Sequence, residues 1–380
     1  DRWNYPILVS IGLMILSTLN ITIFNNPYDL INFNSQIIWL NLLKWLILII
    51  CFYGFQNFLA DNNQRKLFGK FLIAGTIPVI ISCFLQKLFW DDGPYQILNG
   101  LIIWFQKPIE ISGGISGLFS NVNYTGIWLC LGLPFCVVLT KLEKIKSNKI
   151  LLAIIILLFS YFILETSSRN AYLSFIICLA LIMKLRYSLI LIFFQFLNII
   201  FLKFFDTSKV DLLGITNFSL FQTIKKISYT SIDPENSRFI IFKEALSLIK
   251  DRPFFGWGPS TFNFNFTNNN LNDANILSHN PYHTHNMPLE LAYNFGIPLS
   301  LIIILTTSIL LLLSIKKLYK IKGNKEEFLI NKAWIISTLI IVITHLNDVT
   351  YYEDRIGILI SIFFAGLRSF IKDNKIPTSH

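Results

Sequence analysis

Two arginines and one histidine in this chain have the chemistry to act on an anionic substrate. Arg169 follows a Ser-Ser pair at the start of an apolar run, Arg238 lies in a long polar stretch, and His285 lies where that stretch rejoins an apolar run. A guanidinium group binds phosphate through paired hydrogen bonds and keeps its charge at physiological pH. Histidine is the natural proton acceptor near neutral pH. Together they predict a site that binds an anion and removes a proton.

Each of these residues also has a simpler interpretation. Arg169 could form a structural pair with Glu165, four residues earlier on the chain. Arg238 could extend its charge to lipid headgroups. A lone histidine is more often a hydrogen-bonded structural group than a base, and we favour that interpretation for His279 and His283. These alternatives stay open at the level of sequence.

The three histidines His279, His283 and His285 also raise the possibility of a metal centre. A zinc site needs a closed ligand set, and no fitting carboxylate or cysteine accompanies them in the sequence. The five cysteines all lie inside apolar runs, which excludes a disulfide framework and a cysteine-based metal site. The sequence therefore predicts no metal at this position.

A cluster of charged residues lies between the last two apolar runs of the chain. It contains Asp348, Glu353, Asp354 and Arg355. These charges could position the arginines or bind a sugar. The alternative is a solvated connection with surface ion pairs. We predict substrate-binding roles for Asp348 and Arg355, and for Asn286, which follows His285 directly.

Composition fixes the fold class. The chain has 380 residues, of which 53% are hydrophobic and only 14% are charged. The mean hydropathy is +0.57. A soluble domain carries roughly 25% charged residues, and several apolar runs here reach the ~20 residues that span a bilayer. Because these runs do not alternate polar and apolar residues, a β-barrel is excluded. We predict an all-α polytopic membrane protein with one membrane domain, residues 1–380.

Ten spans are predicted, and the charges orient them. The net charge of +10 lies in short loops, whereas residues 206–286 hold seven basic and seven acidic groups and are neutral. This is the positive-inside pattern, so it orients the chain and predicts no nucleic-acid partner. Residues 206–286 are then a large periplasmic loop between the seventh and eighth spans. The predicted spans are 5–24, 36–60, 67–90, 122–140, 150–165, 169–183, 188–205, 287–314, 332–347 and 356–371.

The large loop is predicted to contain an amphipathic helix. Asp233-Pro234-Glu235-Asn236 is typical of a helix start, and Pro253 follows its end, which gives a helix over about 235–250. On a helical wheel, Phe239, Phe242, Ala245, Leu246 and Ile249 form the apolar face and Arg238 projects from that side. Such a helix could lie along the membrane surface.

These motifs resemble, in order and in membrane placement, those of the O-antigen ligase/polymerase superfamily over roughly residues 90–370. The chain departs from the family at Asn294, where an acidic residue is common, and at Leu299, where glycine is common. Family members have about twelve spans, so the ten spans and the first residue Asp1 predict an N-terminal truncation. The matching motifs are Gly117 to Tyr124, Ser168-Arg169, Ser237 to Ala245, Pro253 to Pro259, His285-Asn286 with Leu289, Gly296-Ile297-Pro298, and Asp348 to Arg355 with Gly366-Leu367.

The resemblance implies a GT-C-like glycosyltransferase of the bacterial inner membrane with its active site facing the periplasm. The donor would be a glycan on undecaprenyl diphosphate and the acceptor a sugar hydroxyl on lipid A core, with no cofactor and no metal. Arg169 and Arg238 would hold the donor diphosphate, and His285 would orient or deprotonate the acceptor for an inverting displacement. The upstream motif adds Asn121 and Asn123 to the substrate-binding residues. The alternatives are a polysaccharide polymerase of the same superfamily and an anion (bicarbonate) transporter, which would need polar groups at mid-bilayer.

Overall fold

The computed structural model describes residues 4–24, 34–89, 95–97, 99, 102–104, 106, 109, 113–183, 186–187, 189–190, 193, 237–270 and 281–373. Most of the predicted span 188–205 lies outside these residues, as do loop residues 206–236 and 271–280 with His279. Two three-residue strands, Tyr95–Ile97 (β1) and Ile102–Trp104 (β2), pair antiparallel.

The described part of the chain otherwise forms twelve α-helices. A π-helical turn, Asn20–Phe24, continues the first helix, and a 3-10 turn, Thr350–Tyr352, precedes the last. The helices are α1 Tyr5–Leu19, α2 Gln36–Phe58, α3 Asn62–Phe89, α4 Val122–Leu142, α5 Lys146–Glu165, α6 Arg169–Ile182, α7 Ser237–Asp251, α8 Phe262–Asn269, α9 Met287–Phe295, α10 Ile297–Leu318, α11 Lys325–Thr344 and α12 Asp354–Lys372.

Seven of the described helices are long and apolar enough to cross a membrane: α1 with its π-helical extension, α2, α3, α4, α5, α10 and α11. The all-α polytopic membrane fold is confirmed. Helix α6 is apolar but has 14 residues. Its length of roughly 21 Å is short of the ~30 Å hydrocarbon core. Helix α12 has 19 residues but includes Asp354, Arg355, Arg368 and Lys372.

The predicted span 287–314 is interrupted at Gly296. The chain forms the short helix α9, turns, and starts the spanning helix α10 one residue later. Gly296 has φ +93°, and a Cβ at this position would lie 2.0 Å from the carbonyl oxygen of Phe254. Only glycine combines that backbone angle with so close an approach. The span is therefore α10, and α9 is a separate element at its start.

The chain divides into two compact units, and α1, α2, α7–α10 and α12 form the first. Helix α2 packs against α12 and α1. A buried cluster joins Leu42 and Trp45 of α2 to Leu291 and Phe295 of α9 and to Tyr351. This core fixes α9 and the turn before α12, and these two elements carry most of the candidate site.

Helices α3–α6 and α11 form the second unit. Helix α4 packs against all four of the others. Small residues allow close approach: a Cβ on Gly126 of α4 would lie 2.3 Å from the Cβ of Ala171 in α6. Such small-residue contacts are typical of helices packed in a membrane. The hydroxyl of Ser337 in α11 donates to the carbonyl oxygen of Leu131 in α4 at 2.8 Å.

Candidate functional site

His285 is held in an unusual backbone conformation beside a buried carboxylate. Its φ is +53°, in the left-handed region, although it is not glycine. Non-glycine residues with such a backbone angle cluster at functional sites. There, contacts with the surrounding structure offset the conformational cost of about 1–3 kcal/mol. Its Nδ1 lies 3.2 Å from Oδ1 of Asp348. The histidine side chain is 29% exposed and the aspartate 3%.

Asp348 is ionised in this environment. Burial alone would raise its pKa, but the hydrogen bond from His285 and the charges of His285, His283 and Arg238 lower the pKa to about 2. The backbone N–H of Val349 also donates to Oδ1 at 2.9 Å. A carboxylate in this position orients the imidazole of His285.

A second histidine, His283, supports the first. Its Nδ1 accepts the backbone N–H of His285 at 3.2 Å. Its ring stacks on Tyr352, with centroids 5.1 Å apart and planes inclined by 18°. Burial and the neighbouring charge of His285 lower its pKa, which favours a neutral ring. The sequence interpretation of His283 as a structural histidine agrees with these contacts.

Glu290 of α9 is the centre of a buried hydrogen-bond network. The residue is fully buried, and four donors surround its carboxylate. Oε2 accepts the backbone N–H and the hydroxyl of Thr284 at 2.9 and 3.0 Å. Oε1 accepts the amide of Asn294 at 3.0 Å and the hydroxyl of Tyr352 at 2.5 Å. Glu290 thus links Thr284, in the loop before His285, to Tyr352, whose ring stacks on His283.

Asn286 starts α9 and ties it to the segment after α11. Its side-chain oxygen accepts the N–H of Leu289 at 3.0 Å, which is an N-cap contact. Its amide donates to the carbonyl oxygen of Leu346 at 2.9 Å, and the N–H of Met287 donates to the carbonyl of His345 at 2.8 Å. Both side-chain polar atoms of Asn286 are therefore used within the protein. We assign it a positioning role, and substrate contact by this residue stays a prediction.

The expectation that no carboxylate accompanies the histidines is wrong. A carboxylate does accompany the histidines, because ligand atoms of His283, His285 and Asp348 all lie within 4.8 Å of one another. The sequence does not indicate this proximity, because Asp348 is 63 residues from His285 along the chain. However, the His283 nitrogen and the Asp348 oxygen described above are occupied by hydrogen bonds with His285, and the charge of Arg238 acts on both groups. These contacts make the three residues one hydrogen-bonded group.

Arg238 lies on the buried side of α7, as the helical wheel predicts. The stripe at Ile241, Ala245 and Leu248 is at most 3% exposed, and Arg238 continues that stripe toward the helix start. The apolar face is rotated from the predicted one, because Phe239 is 60% exposed and Leu246 is 49% exposed. The charge of Arg238 contributes to lowering the pKa of both Asp348 and His283. Arg238 and the histidine loop are thus electrostatically coupled within the first unit.

The turn after α7 locks this helix to α9. The backbone N–H groups of Trp257 and Gly258 donate to the carbonyls of Tyr293 and Asn294 at 2.7 and 3.0 Å. The indole N–H of Trp257 donates to the carbonyl of Leu248 at 2.7 Å. The Pro253–Pro259 motif therefore connects α7, which carries Arg238, to α9, which follows His285.

Arg355 does not join this group. Its Nε donates to the carboxylate of Glu353 at 2.5 Å, and its side chain is 49% exposed. Asp354 pairs with Lys44 at 3.4 Å. Residues 353–355 therefore form the solvated connection with ion pairs that was the alternative interpretation. Asp348, from the same cluster in the sequence, is buried.

The second unit brings Arg169, Asn121 and Asn123 together at two helix starts. Asn121 caps α4 by accepting the N–H of Asn123 at 2.8 Å. Ser168 caps α6 by accepting the N–H of Ala171, and its hydroxyl donates to the side-chain oxygen of Asn123 at 2.6 Å. Arg169 is the first residue of α6. Adjacent helix N-termini carry partial positive charge and favour anions.

Neighbouring contacts fix this corner of the second unit. Lys87 forms an ion pair with Glu165, so the carboxylate four residues before Arg169 has at least this partner. The buried Gln86 side chain accepts the N–H groups of Ser116 and Gly117 at 3.0 and 2.9 Å. These bonds hold the glycine-rich loop before α4 in place.

A comparison with protein families identifies part of the chain. Residues 152–304 match the O-antigen ligase family. This part of the chain is similar to O-antigen ligases. The resemblance inferred from the motifs is confirmed, over a shorter stretch than the motifs cover. Arg169, Arg238, His285 and Asn286 lie inside the O-antigen ligase match, while Asn121, Asn123, Asp348 and Arg355 lie outside it. Among curated proteins, no match is found.

Sequence reasoning missed three residues of the candidate site. Glu290 lies in an apolar helix, where a charge is costly and marks a specific role. His345 lies inside the predicted span 332–347 and Tyr352 follows it, and both are close to Asp348 in the sequence. An ionisable residue in an apolar stretch was the available signal for Glu290. No spacing rule links Tyr352 to His283, because their contact is made across 69 residues of chain.

Proposed function

We propose that this chain is an O-antigen ligase-like glycosyltransferase of the bacterial inner membrane, with its site facing the periplasm. It transfers a glycan from undecaprenyl diphosphate to a sugar hydroxyl of lipid A core. The similarity to O-antigen ligases supports the class of reaction. The observation that carries the proposal is the hydrogen bond between His285 and the buried Asp348. It orients the histidine of the His285-Asn286 motif as a base.

In the proposed reaction, Nδ1 of His285 carries its proton toward Asp348, which leaves Nε2 as the acceptor. Nε2 takes the proton of the acceptor hydroxyl as that oxygen attacks the anomeric carbon of the donor sugar. The bond from this carbon to the diphosphate oxygen breaks, and undecaprenyl diphosphate leaves with the electron pair. Attack from the face opposite the leaving group inverts the anomeric centre. The Asp348 carboxylate stabilises the resulting imidazolium.

The arginines act on the leaving group. In this proposal Arg238 and Arg169 bind diphosphate oxygens and stabilise the charge that develops on them. The helix N-termini beside Arg169 add a favourable field for the same anion. Permanent guanidinium charges supply the electrostatic stabilisation that a divalent ion supplies elsewhere, so we propose a metal-independent reaction without a cofactor.

An anion transporter is the competing class. The interruption at Gly296 is a broken helix of the kind that transporters use at substrate sites. However, the buried group on α9 is Glu290, whose negative charge repels an anion, and its four hydrogen-bond donors belong to the protein. This network favours a fixed scaffold over a substrate path.

The test is complementation of ligase-null and polymerase-null strains in parallel, with lipopolysaccharide banding as the readout. Restored attachment of O-chains in the ligase-null strain supports ligation to lipid A core. Restored chain length only in the polymerase-null strain moves the assignment to polymerisation. The variants Arg169→Ala, Arg238→Ala and His285→Ala are compared at equal protein levels. Normal banding in all three would overturn the site.

A further inference from the structure

A cavity in the second unit lies at the end of the spans away from Arg169. It has a volume of about 660 Å³ and opens between the start of α3, the end of α4 and the start of α5. Helix α5 runs from this cavity to Glu165, four residues before Arg169, so the two features lie at its opposite ends. By the charge bias of the loops, this end of the unit is the cytoplasmic one.

The cavity has a charged mouth and apolar walls. Lys66 and Lys70 of α3, together with Lys144 before α5, supply the positive charge. One helical face of α3 continues from these lysines through Ile73 to Ile77. From Lys66 to Ile77 the helix rises roughly 16 Å, from the membrane surface into the hydrocarbon region. Polar at one end and apolar at the other, the cavity matches an amphipathic molecule and not a soluble ion.

The acidic residues at the mouth have partners of their own. Glu326 pairs with Lys66 at 2.6 Å. Glu143 accepts the backbone N–H groups of Lys144 and Ile145 at 2.8 and 3.0 Å, at the start of α5. Three lysines against two glutamates leave one net positive charge among the lining side chains. That balance suits a ligand with a single negative charge.

We propose that this cavity binds one anionic phospholipid of the bilayer, with its phosphate between Lys70 and Lys144 and an acyl chain along α3 and α5. Basic pockets between spanning helices on the cytoplasmic side bind acidic lipid headgroups by this charge match. The bound lipid bridges α3 to α5 at the membrane surface. This inference is independent of the glycosyl transfer proposed above, because it uses other residues.

The chain offers a matched control for the test. Lys146 and Lys149 lie in the first turn of α5, are exposed, and do not line the cavity. The double variant Lys70→Ala/Lys144→Ala and the double variant Lys146→Ala/Lys149→Ala remove the same charge from the same region. Only the first pair removes it from the cavity.

The experiment is native mass spectrometry of the full chain in detergent, titrated with phosphatidylglycerol or phosphatidylcholine. The expected result is a preference of about fivefold or more for the anionic lipid, since each nearby lysine contributes a factor of this size. Lys70→Ala/Lys144→Ala loses most of the preference, Lys146→Ala/Lys149→Ala keeps it, and Lys70→Arg/Lys144→Arg keeps it. An equal loss in both alanine pairs, or no preference in the wild-type chain, would overturn the proposal. Glycerol phosphate, which has the headgroup without acyl chains, is expected not to displace the lipid.

Discussion

Nδ1 of His285 and Oδ1 of Asp348 lie 3.2 Å apart, although 63 residues separate them along the chain. The first residue lies at the end of the large loop, two residues before α9, and the second follows the spanning helix α11. Because the carboxylate is buried and ionised, it determines which imidazole nitrogen carries the proton. Several predictions of the proposed chemistry depend on this pair and on the groups that hold it.

Asp348→Asn removes the negative charge beside His285, while an amide oxygen keeps the contacts with Nδ1 and with the N–H of Val349. The imidazolium that forms when His285 takes the proton of the sugar hydroxyl then lacks its counter-charge. We expect a loss of glycan transfer of about 100-fold or more, measured as O-chain attachment per unit of protein. Asp354→Asn is the control, since that carboxylate is 71% exposed and pairs only on the surface with Lys44. Equal activity of the two variants would contradict the assignment.

Arg238→Lys and Arg169→Lys keep the charge but lose the planar pair of donors. If the arginines bind a diphosphate, each change should lower kcat/KM for the lipid-linked donor by about tenfold or more, because lysine acts as a point charge. Titration with the donor in proteoliposomes provides the measurement. Arg186→Lys is the matched control, as Arg186 stacks on Tyr187. Full activity of both lysine variants would mean that only charge matters there.

Glu290→Gln tests the hydrogen-bond network behind the histidines. The carboxylate faces four donors, so an amide nitrogen would be placed against at least one of them. A mismatched buried polar group costs about 1–3 kcal/mol, and we expect a lower thermal midpoint together with weakened transfer.

Tyr352→Phe is a milder test of the same hydrogen-bond network than Glu290→Gln. It removes one donor to Glu290 and keeps the ring on His283, so its cost should be nearer 1 kcal/mol. If Tyr352→Phe proves as damaging as Glu290→Gln, the phenol has a role beyond this hydrogen bond.

The stability of the first unit should decline in mild acid because of His345. Burial lowers its pKa to about 4, although the nearby Asp348 charge acts in the opposite direction. Since this value is below the unfolded value of about 6.5, the contribution is fully present above pH 6.5 and is lost as pH falls toward 4. By pH 4.5 the loss is about 2–3 kcal/mol.

Thermal unfolding in detergent between pH 7.5 and 4.5 measures this slope. His345→Gln should flatten it, since glutamine does not protonate. A residual slope is expected from His283, whose pKa burial also lowers. An unchanged slope in the variant would place the acid sensitivity elsewhere.

Gly296→Ala separates steric conflict from backbone strain. Its added Cβ would lie 2.0 Å from the Phe254 carbonyl oxygen. Gly323 has a similar φ of +82° but no heavy atom within 4 Å of an added Cβ. We expect Gly323→Ala to cost about 1 kcal/mol from strain alone. Gly296→Ala should cost several times more and lower the folded yield on expression. Similar thermal midpoints for the two variants would show that the turn at Gly296 can relax.

Hydropathy and lysine placement were enough to predict the membrane fold and the bounds of most spans, because burial in lipid leaves a strong local pattern. The same method missed the break at Gly296, since α9 and α10 form one continuous apolar run in sequence. The helix bearing Arg238 was predicted correctly, but its buried face depends on α8 and α9, whose positions a wheel does not contain.

The candidate site was only partly predictable. His285 and Asp348 were both selected, yet nothing in their spacing indicated that they form a pair. Glu290 was overlooked because its partners come from three separated segments. Asn286 was selected as a ligand for substrate, while its side chain caps a helix. Local patterns identify unusual residues, and tertiary contacts decide what those residues do.

The side-chain amide bond of Asn286 and the backbone bond of Met287 have a practical consequence for protein engineering. They fasten the His285 loop to Leu346 and His345, some 60 residues downstream. A fragment cut to residues 152–304 would keep His285 but lose Asp348, the tyrosine that stacks on His283, and two of the anchors of α9. Chimeras between this chain and proteins similar to it should therefore exchange residues 281–296 and 345–353 as one block, even though two membrane-crossing helices separate them in the gene.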